Sequence, residues 1–239
     1  MIKIFGRNVV KEAVRANRKI TEINILETVK TTDSSFLALC ADKKIKINIL
    51  SRNEMDKRYL GLHQGYGALA EGYKYYELED VIDQSKTQVF IILDGLEDPV
   101  NLGAIIRTAE AAGIAGIIIP KNRSVSLNAT VVKVAAGALE YVKIISVNNL
   151  NRTIETLKKR GFWIVGTDMS GEKTIYDVDL TGSIGVIIGS EGSGIRKLVQ
   201  QNCDYVVKIP MYGKINSLNA SVSCGILMYE IVRRNREIK

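Results

Sequence analysis

The stretch QVFIILDG at residues 88–95 sets five apolar residues in succession, Val89 to Leu93, before an aspartate and a glycine. An apolar run that short reads as a strand buried on both faces. The same signature returns in AGIIIP (115–120), YVKIIS (141–146), GFWIVGT (161–167) and GSIGVIIG (182–189), with helical spacing at 101–112, 127–137 and 149–160 between them. Apolar strands alternating with helices predict an α/β domain whose parallel sheet is covered on both sides. No internal repeat or low-complexity tract interrupts the pattern.

Upstream the character changes. Tyr73 to Ser85 reads YKYYELEDVIDQS, polar and acidic, which predicts a linker over 73–86. Before it, residues 1–72 hold 13 Lys and Arg against 8 Asp and Glu, whereas residues 73–239 hold 20 against 18. A small basic domain that meets nucleic acid is the expectation there, with a solvated basic surface as the plainer alternative. Its helix and strand signals alternate too: Asn8–Ala16 and 33–43 as helices, 20–26 and 44–50 as strands.

Composition narrows the function classes. The chain has 239 residues and a net charge of +7, which favours polyanionic partners. No apolar run approaches the ~20 residues of a membrane span. The opening MIKIFGRNVV has no signal-peptide core, so a cytoplasmic protein is expected. Cys40, Cys203 and Cys224 are too few and too scattered for a disulfide framework or a paired-cysteine metal site. With one histidine, His63, a histidine-rich metal centre and most serine-hydrolase triads are excluded, and no metal is expected.

In open parallel sheets ligands bind beyond the carboxyl ends of the strands. Three constellations fall there. After QVFIILD comes GLEDPVNLG (95–103), with Asn101 expected as a helix N-cap and Arg107 six residues on; a capped helix with a surface arginine is the plain alternative. After GSIGVIIG comes Ser190-Glu191-Gly192-Ser193-Gly194. Its glycine order is wrong for a dinucleotide fingerprint, and no first-strand unit precedes it. It is either a ligand-approaching turn carrying a carboxylate or an ordinary glycine-rich turn. After YVVKI (205–209) comes PMYGKINSLN (210–219), where Asn216, Ser217 and Asn219 crowd the start of a long helix from Ala220 to about Arg234. One cap suffices, so the surplus polar groups point to a polar-ligand site. That helix carries Ser221, Ser223, Cys224 and Gly225, small enough for close approach by another element or subunit, and Cys224 reads as a buried small residue rather than a nucleophile.

Together these segments resemble motifs 1, 2 and 3 of the SpoU branch of the SPOUT RNA methyltransferases. The strings are LDGLEDPVNLGAIIRTAEAAG (93–113), IIGSEGSGI (187–195) and IPMYGKINSLNASVSCGILMYE (209–230), and the likeness spans about residues 87–239. GRNVVKEAV (6–14) and HQGYGAL (63–69) resemble the ribosomal-protein-L30-like substrate-binding domain of the 2′-O-ribose methyltransferases of large-subunit rRNA. The resemblance implies an L30-like α/β domain over 1–72, a linker over 73–86 and a SPOUT methyltransferase domain over 87–239. It further implies a trefoil knot near the C-terminus, an S-adenosyl-L-methionine site inside the knot and an obligate homodimer. Gly189, Ile209 and Leu218 match the cofactor-facing positions. Asn101, Arg107, Glu191, Ser217 and Asn219 match the polar catalytic positions, without departure at any of the eight.

The implied reaction methylates a ribose 2′-hydroxyl, the group that distinguishes RNA from DNA. An alcohol needs a base or a stabiliser of its developing negative charge. Arg107 is open to both roles: proton acceptor, or cation that orients the hydroxyl and lowers its pKa. A guanosine of large-subunit rRNA is the expected substrate. The same chemistry on tRNA is the nearest rival, and a non-catalytic RNA-binding factor is the rival from another class. His63 is either structural or an RNA contact, and Tyr59, Tyr66, Tyr73, Tyr75 and Tyr76 offer rings for stacking on unpaired bases.

Overall fold

The computed structural model describes residues 1–122, 124–190, 192 and 194–237, and the chain divides into two compact units. The first comprises Met1–Lys74 and Leu127–Tyr141 and the second Tyr75–Ser126 and Val142–Lys239.

The first unit opens with β1 (Ile2–Phe5), α1 (Arg7–Arg15), β2 (Ile20–Leu26), α2 (Glu27–Thr32), α3 (Ser34–Asp42), β3 (Ile47–Leu50), α4 (Arg52–Arg58) and β4 (Tyr66–Ala70). Its sheet runs β1-β4-β2-β3, antiparallel except for the β2–β3 pair. Helix α1 buries Val9, Val10, Ala13 and Val14, the stripe expected of an amphipathic helix. Lys11, on the same helix, pairs with Asp33 at 2.5 Å, and the Tyr66 hydroxyl donates to the same carboxylate at 2.5 Å. Burial raises the Asp33 pKa, but hydrogen bonds from Lys11 and Tyr66 outweigh it and hold the group at about 2. Near α4, Asn24 donates to the Tyr59 hydroxyl at 2.7 Å and Asn48 to the Asn24 carbonyl at 3.1 Å, so this buried polar cluster is internally satisfied.

The tyrosine and histidine expectations change here. Tyr59 and Tyr66 are core residues with bonded hydroxyls, closed to base stacking. Tyr73 lies under the Arg18 guanidinium, 3.7 Å from its ring centre. His63 is 2% exposed. Gly65 N–H donates to its Nδ1 at 2.9 Å, so Nε2 carries the proton and donates to Asp56 at 2.8 Å. That is the structural reading of His63.

The chain continues through β5 (Val89–Asp94), α5 (Pro99–Ala112), β6 (Gly116–Pro120), α6 (Ala129–Ala135), β7 (Ile144–Val147), α7 (Leu150–Lys159) and β8 (Trp163–Thr167). It ends with β9 (Lys173–Thr174), β10 (Ile184–Gly189), α8 (Lys197–Gln200), β11 (Tyr205–Lys208) and α9 (Ala220–Glu237). Of these, α6 groups with the first unit, where it meets β1.

The second unit is a seven-stranded parallel sheet in the order β7-β6-β5-β10-β8-β11-β9. The α/β parallel-sheet expectation is met. Phe90, Ile92, Ile118, Ile164 and Ile187 share one core with Ile154 and Leu157 of α7. Ile91, Leu93, Val186 and Ile188, equally buried, alternate with them along β5 and β10 and so point to the other face. There α9 packs on β10 and on α5. Leu78 and Val81, within the stretch expected to be a linker, are buried in the first of these cores.

Candidate active site

The strands β5 and β10 lie side by side in register, Asp94 opposite Gly189, so their carboxyl ends open at one edge of the sheet. Beside them β8 ends at Thr167 and β11 at Lys208. A cavity of about 840 Å³ occupies this edge. Its wall includes Gly189, Ser190 and Gly194 from the turn after β10, Thr167 and Asp168 after β8, and Ile209, Asn216, Ser217, Leu218 and Asn219 before α9. Five of the expected site residues therefore share one wall: Gly189, Ile209, Ser217, Leu218 and Asn219.

The turn after β10 closes on itself. Ser190 and Gly194 exchange both backbone hydrogen bonds at 3.1 Å. A Cβ on Gly189 would fall 2.2 Å from the Gly194 carbonyl carbon and 2.4 Å from its oxygen, so only glycine lets the turn fold back there. Glu191, expected as the carboxylate of this turn, lies outside the described residues, as do Arg123, Ser193, Ile238 and Lys239.

An unforeseen clamp holds the turn from below. Asp94 is 1% exposed, and its carboxylate takes the Arg196 guanidinium at 2.6 and 2.7 Å and the Arg196 backbone N–H at 2.9 Å. Fixing both the charge and the backbone of Arg196 ties the end of the Gly-rich turn to the end of β5. The partners stand 102 residues apart, a separation no local spacing reveals.

The start of α9 resolves the crowding of polar residues. Asn219 is the cap, its side-chain carbonyl accepting from Ser221 N–H at 2.9 Å and from the Ser221 hydroxyl at 2.6 Å. Asn216 and Ser217 stand beyond what the cap needs, on the cavity wall. Further along α9, Gly225 faces Thr108 of α5. Cys224 is fully buried and burial pushes its thiol pKa up, while burial and the neighbouring Asp204 push Cys203 to about 12. Neither is poised as a nucleophile.

Helix α5 requires a correction. Its N-cap is Asp98, not Asn101: the Asp98 carboxylate accepts from Val100 N–H at 3.0 Å and Asn101 N–H at 3.1 Å, and Pro99 takes the first helical position. Asn101 is instead a buried residue of the first turn, 4% exposed. Arg107 sits on the exposed side of the helix. Neither Asn101 nor Arg107 is on the cavity wall. Asp168 and Lys208 are its two charged side chains among the described residues, and the sequence reading had singled out neither. Among the described residues no cluster of metal-ligating side chains occurs, and no helix is long and apolar enough to cross a membrane.

Comparison with known proteins agrees with this geometry. The SpoU rRNA Methylase family matches residues 88–229, and the domain described as RNA 2′-O ribose methyltransferase substrate binding matches residues 3–76. The TrmH-family tRNA/rRNA methyltransferase YacO of Bacillus subtilis is 41% identical over 240 residues, covering 98% of this chain and 96% of its own. Among solved structures, the SpoU methyltransferase AviRb of Streptomyces viridochromogenes in complex with AdoMet superposes with a TM-score of 0.84 at 22% identity, over 100% of this chain and 91% of that one. An AdoMet-bound rRNA methyltransferase from Sinorhizobium meliloti gives 0.81 at 23% identity, over 97% and 86%.

Proposed function

The chain belongs to the SpoU family of RNA 2′-O-ribose methyltransferases, and from that premise we propose that it methylates a guanosine of large-subunit rRNA in the cytoplasm, as a homodimer, with S-adenosylmethionine as donor. In this reading residues 1–72 bind the RNA, 73–86 connect, and 87–239 carry the chemistry around a trefoil knot.

The observation that carries the reading is the cavity at the ends of β8, β10 and β11. Its volume lies in the range of small-molecule sites, and its wall mixes apolar and hydrogen-bonding side chains. The turn folded back on Gly189 brings two glycines without side chains, Gly189 and Gly194, to the cavity wall, which suits close approach by a flat ligand. Ile209 and Leu218 would hold the donor's base, and Ser217 and Asn219 its polar groups. Bound there, S-adenosylmethionine supplies an electrophilic methyl group on a sulfonium.

The chain's own contribution is to activate the hydroxyl. The role of Arg107 in this reading is that of a cation holding the 2′-oxygen and stabilising the negative charge that develops on it. Asn101 fixes the arginine's helix and the target nucleotide, and Glu191 orients the approaching ribose. Charge is neutralised as the oxygen meets the methyl group, so excluding water favours transfer.

A second copy completes the site. Arg107 and Asn101 are off the cavity wall, while Val100 on α5 and Val222 and Tyr229 on α9 expose apolar side chains. Those two helices pack on each other, so they offer one surface for a partner that brings its own α5. What supports large-subunit rRNA over tRNA is the L30-like resemblance of GRNVVKEAV (6–14) and HQGYGAL (63–69).

The test is Arg107→Lys beside Arg107→Ala. Arg107→Ala abolishes methyl transfer, with donor binding and dimerisation kept. Arg107→Lys retains a measurable fraction if charge is what matters. Near-normal turnover in Arg107→Ala would remove Arg107 from the mechanism.

A further inference from the structure

Asp168 stands at the carboxyl end of β8, next to β10 in the sheet. Its backbone is pinned, with N–H donating to the Val207 carbonyl at 3.0 Å and its own carbonyl accepting from Gly171. One carboxylate oxygen, Oδ1, is spent on the turn that follows: it accepts from Ser170 N–H at 2.9 Å and from the Ser170 hydroxyl at 2.7 Å. The other, Oδ2, points the opposite way, toward the Gly-rich turn after β10. It lies 2.5 Å from where a Cβ of Gly194 would be, so glycine there makes room for the carboxylate. Among the described residues Oδ2 has no hydrogen-bond partner, and the residue lines the cavity.

A carboxylate held rigidly by one oxygen, with the other presented to a cavity, is an acceptor waiting for a donor on the ligand. On the reading of the cavity as the S-adenosylmethionine site, on which this step rests, the ligand offers the sulfonium as a charge and three kinds of donor: the ammonium, the adenine amino group and the two ribose hydroxyls. The sulfonium is the poorest use of an anion, because its charge vanishes on transfer. A carboxylate beside it would stabilise the bound donor more than the transition state and slow the reaction. A group that the reaction leaves unchanged carries no such penalty. Carboxylates at strand ends commonly take ribose hydroxyls in parallel-sheet nucleotide sites.

We infer that Asp168 is a cofactor-binding residue whose Oδ2 accepts a hydrogen bond from the ribose hydroxyls of the methyl donor. The contact is the same before and after transfer, so it sets affinity for donor and demethylated product alike and leaves the chemical step untouched.

Asp168→Asn tests this in the full-length protein, because the amide retains an oxygen for the Ser170 turn while replacing the second oxygen by a donor. Titration calorimetry with S-adenosylmethionine, S-adenosylhomocysteine and methylthioadenosine separates the candidates: the second lacks the sulfonium, and the third lacks the ammonium. The expected result is an equal loss for all three ligands, roughly 10–100-fold for a charge-assisted bond. KM for the donor rises and kcat is held, with the thermal midpoint close to wild type. Ser170→Ala, which loosens the turn but spares Oδ2, leaves affinity within a few-fold. A loss confined to S-adenosylmethionine places the carboxylate at the sulfonium, a loss spared by methylthioadenosine places it at the ammonium, and a loss shared by free adenine, which has no ribose, places it at the amino group; each overturns the inference. Unchanged affinity for all three also overturns it, leaving Asp168 a turn residue. If the wild-type protein binds none of the three, the reading of the cavity itself fails, and Asp168 with it.

Discussion

A methyl group on the α-carbon of Gly189 would lie 2.2 Å from a backbone carbonyl carbon, a distance no relaxation of one side chain can relieve. The turn from Ser190 to Gly194 would have to move, and with it the cavity wall. Gly189→Ala is therefore expected to cost about 1–3 kcal/mol of stability, as overpacking does, and to weaken donor binding at least 10-fold. Thermal unfolding together with calorimetry checks both; an alanine variant binding normally would show that the turn has slack. At this scale the sequence was partly legible. The three glycine- and asparagine-rich segments announced themselves because surplus polar groups and glycines at strand ends have few structural uses. Asp168 did not, since one aspartate after a strand looks like any turn former until Gly194 is seen to make room for it. The Asp94–Arg196 clamp was equally hidden, because Asp94 stands in the first motif and Arg196 just beyond the second, 102 residues away.

Helix α5 shows how element boundaries follow from chemistry that sequence reading can misplace. Asparagine and aspartate both cap helices, and GLEDPVNLG offers both. The decisive residue is Pro99: without an N–H and with a helical φ, it belongs at the first helical position, which makes Asp98 the cap. Asp98→Ala should then cost about 1 kcal/mol, visible in chemical denaturation, whereas Asp98→Asn should cost much less. Equal stability of the alanine variant would contradict the capping role. The five strands expected in the second unit were legible because both faces are buried, leaving unbroken apolar runs. Each begins one to three residues later than expected, after flanking residues such as Gln88, Lys143 and Ser183. In the first unit β1, β4, α2 and α4 carried no such signal. YGALA (66–70) has small residues in place of alternation, and α4 is a charged helix recognisable chiefly by its Ser51–Glu54 capping box.

At the scale of the whole molecule, the parallel sheet brings distant motifs to one edge, and the proposed second copy adds what one chain leaves off the wall. The apolar side chains of Val222 and Tyr229 lie on the exposed side of α9, about two turns apart. Replacing both by aspartate should convert a species of twice the 26.4 kDa chain mass into one of single mass by light scattering, and abolish methyl transfer with it. A variant that is monomeric yet active would remove the partner from the site. The basic balance of residues 1–72 and the match of residues 3–76 to a substrate-binding domain support the proposal that the N-terminal domain binds the RNA.

The measurement closest to the central claim is transfer of labelled methyl from S-adenosylmethionine to purified large-subunit rRNA, small-subunit rRNA and tRNA in parallel, followed by alkaline digestion. A 2′-O-methyl group blocks cleavage at its own nucleotide, so label in alkali-resistant dinucleotides, from large-subunit rRNA alone and on the guanosine, is the predicted result. Label in tRNA alone would contradict the substrate, and alkali-labile label would contradict the ribose 2′-hydroxyl as acceptor.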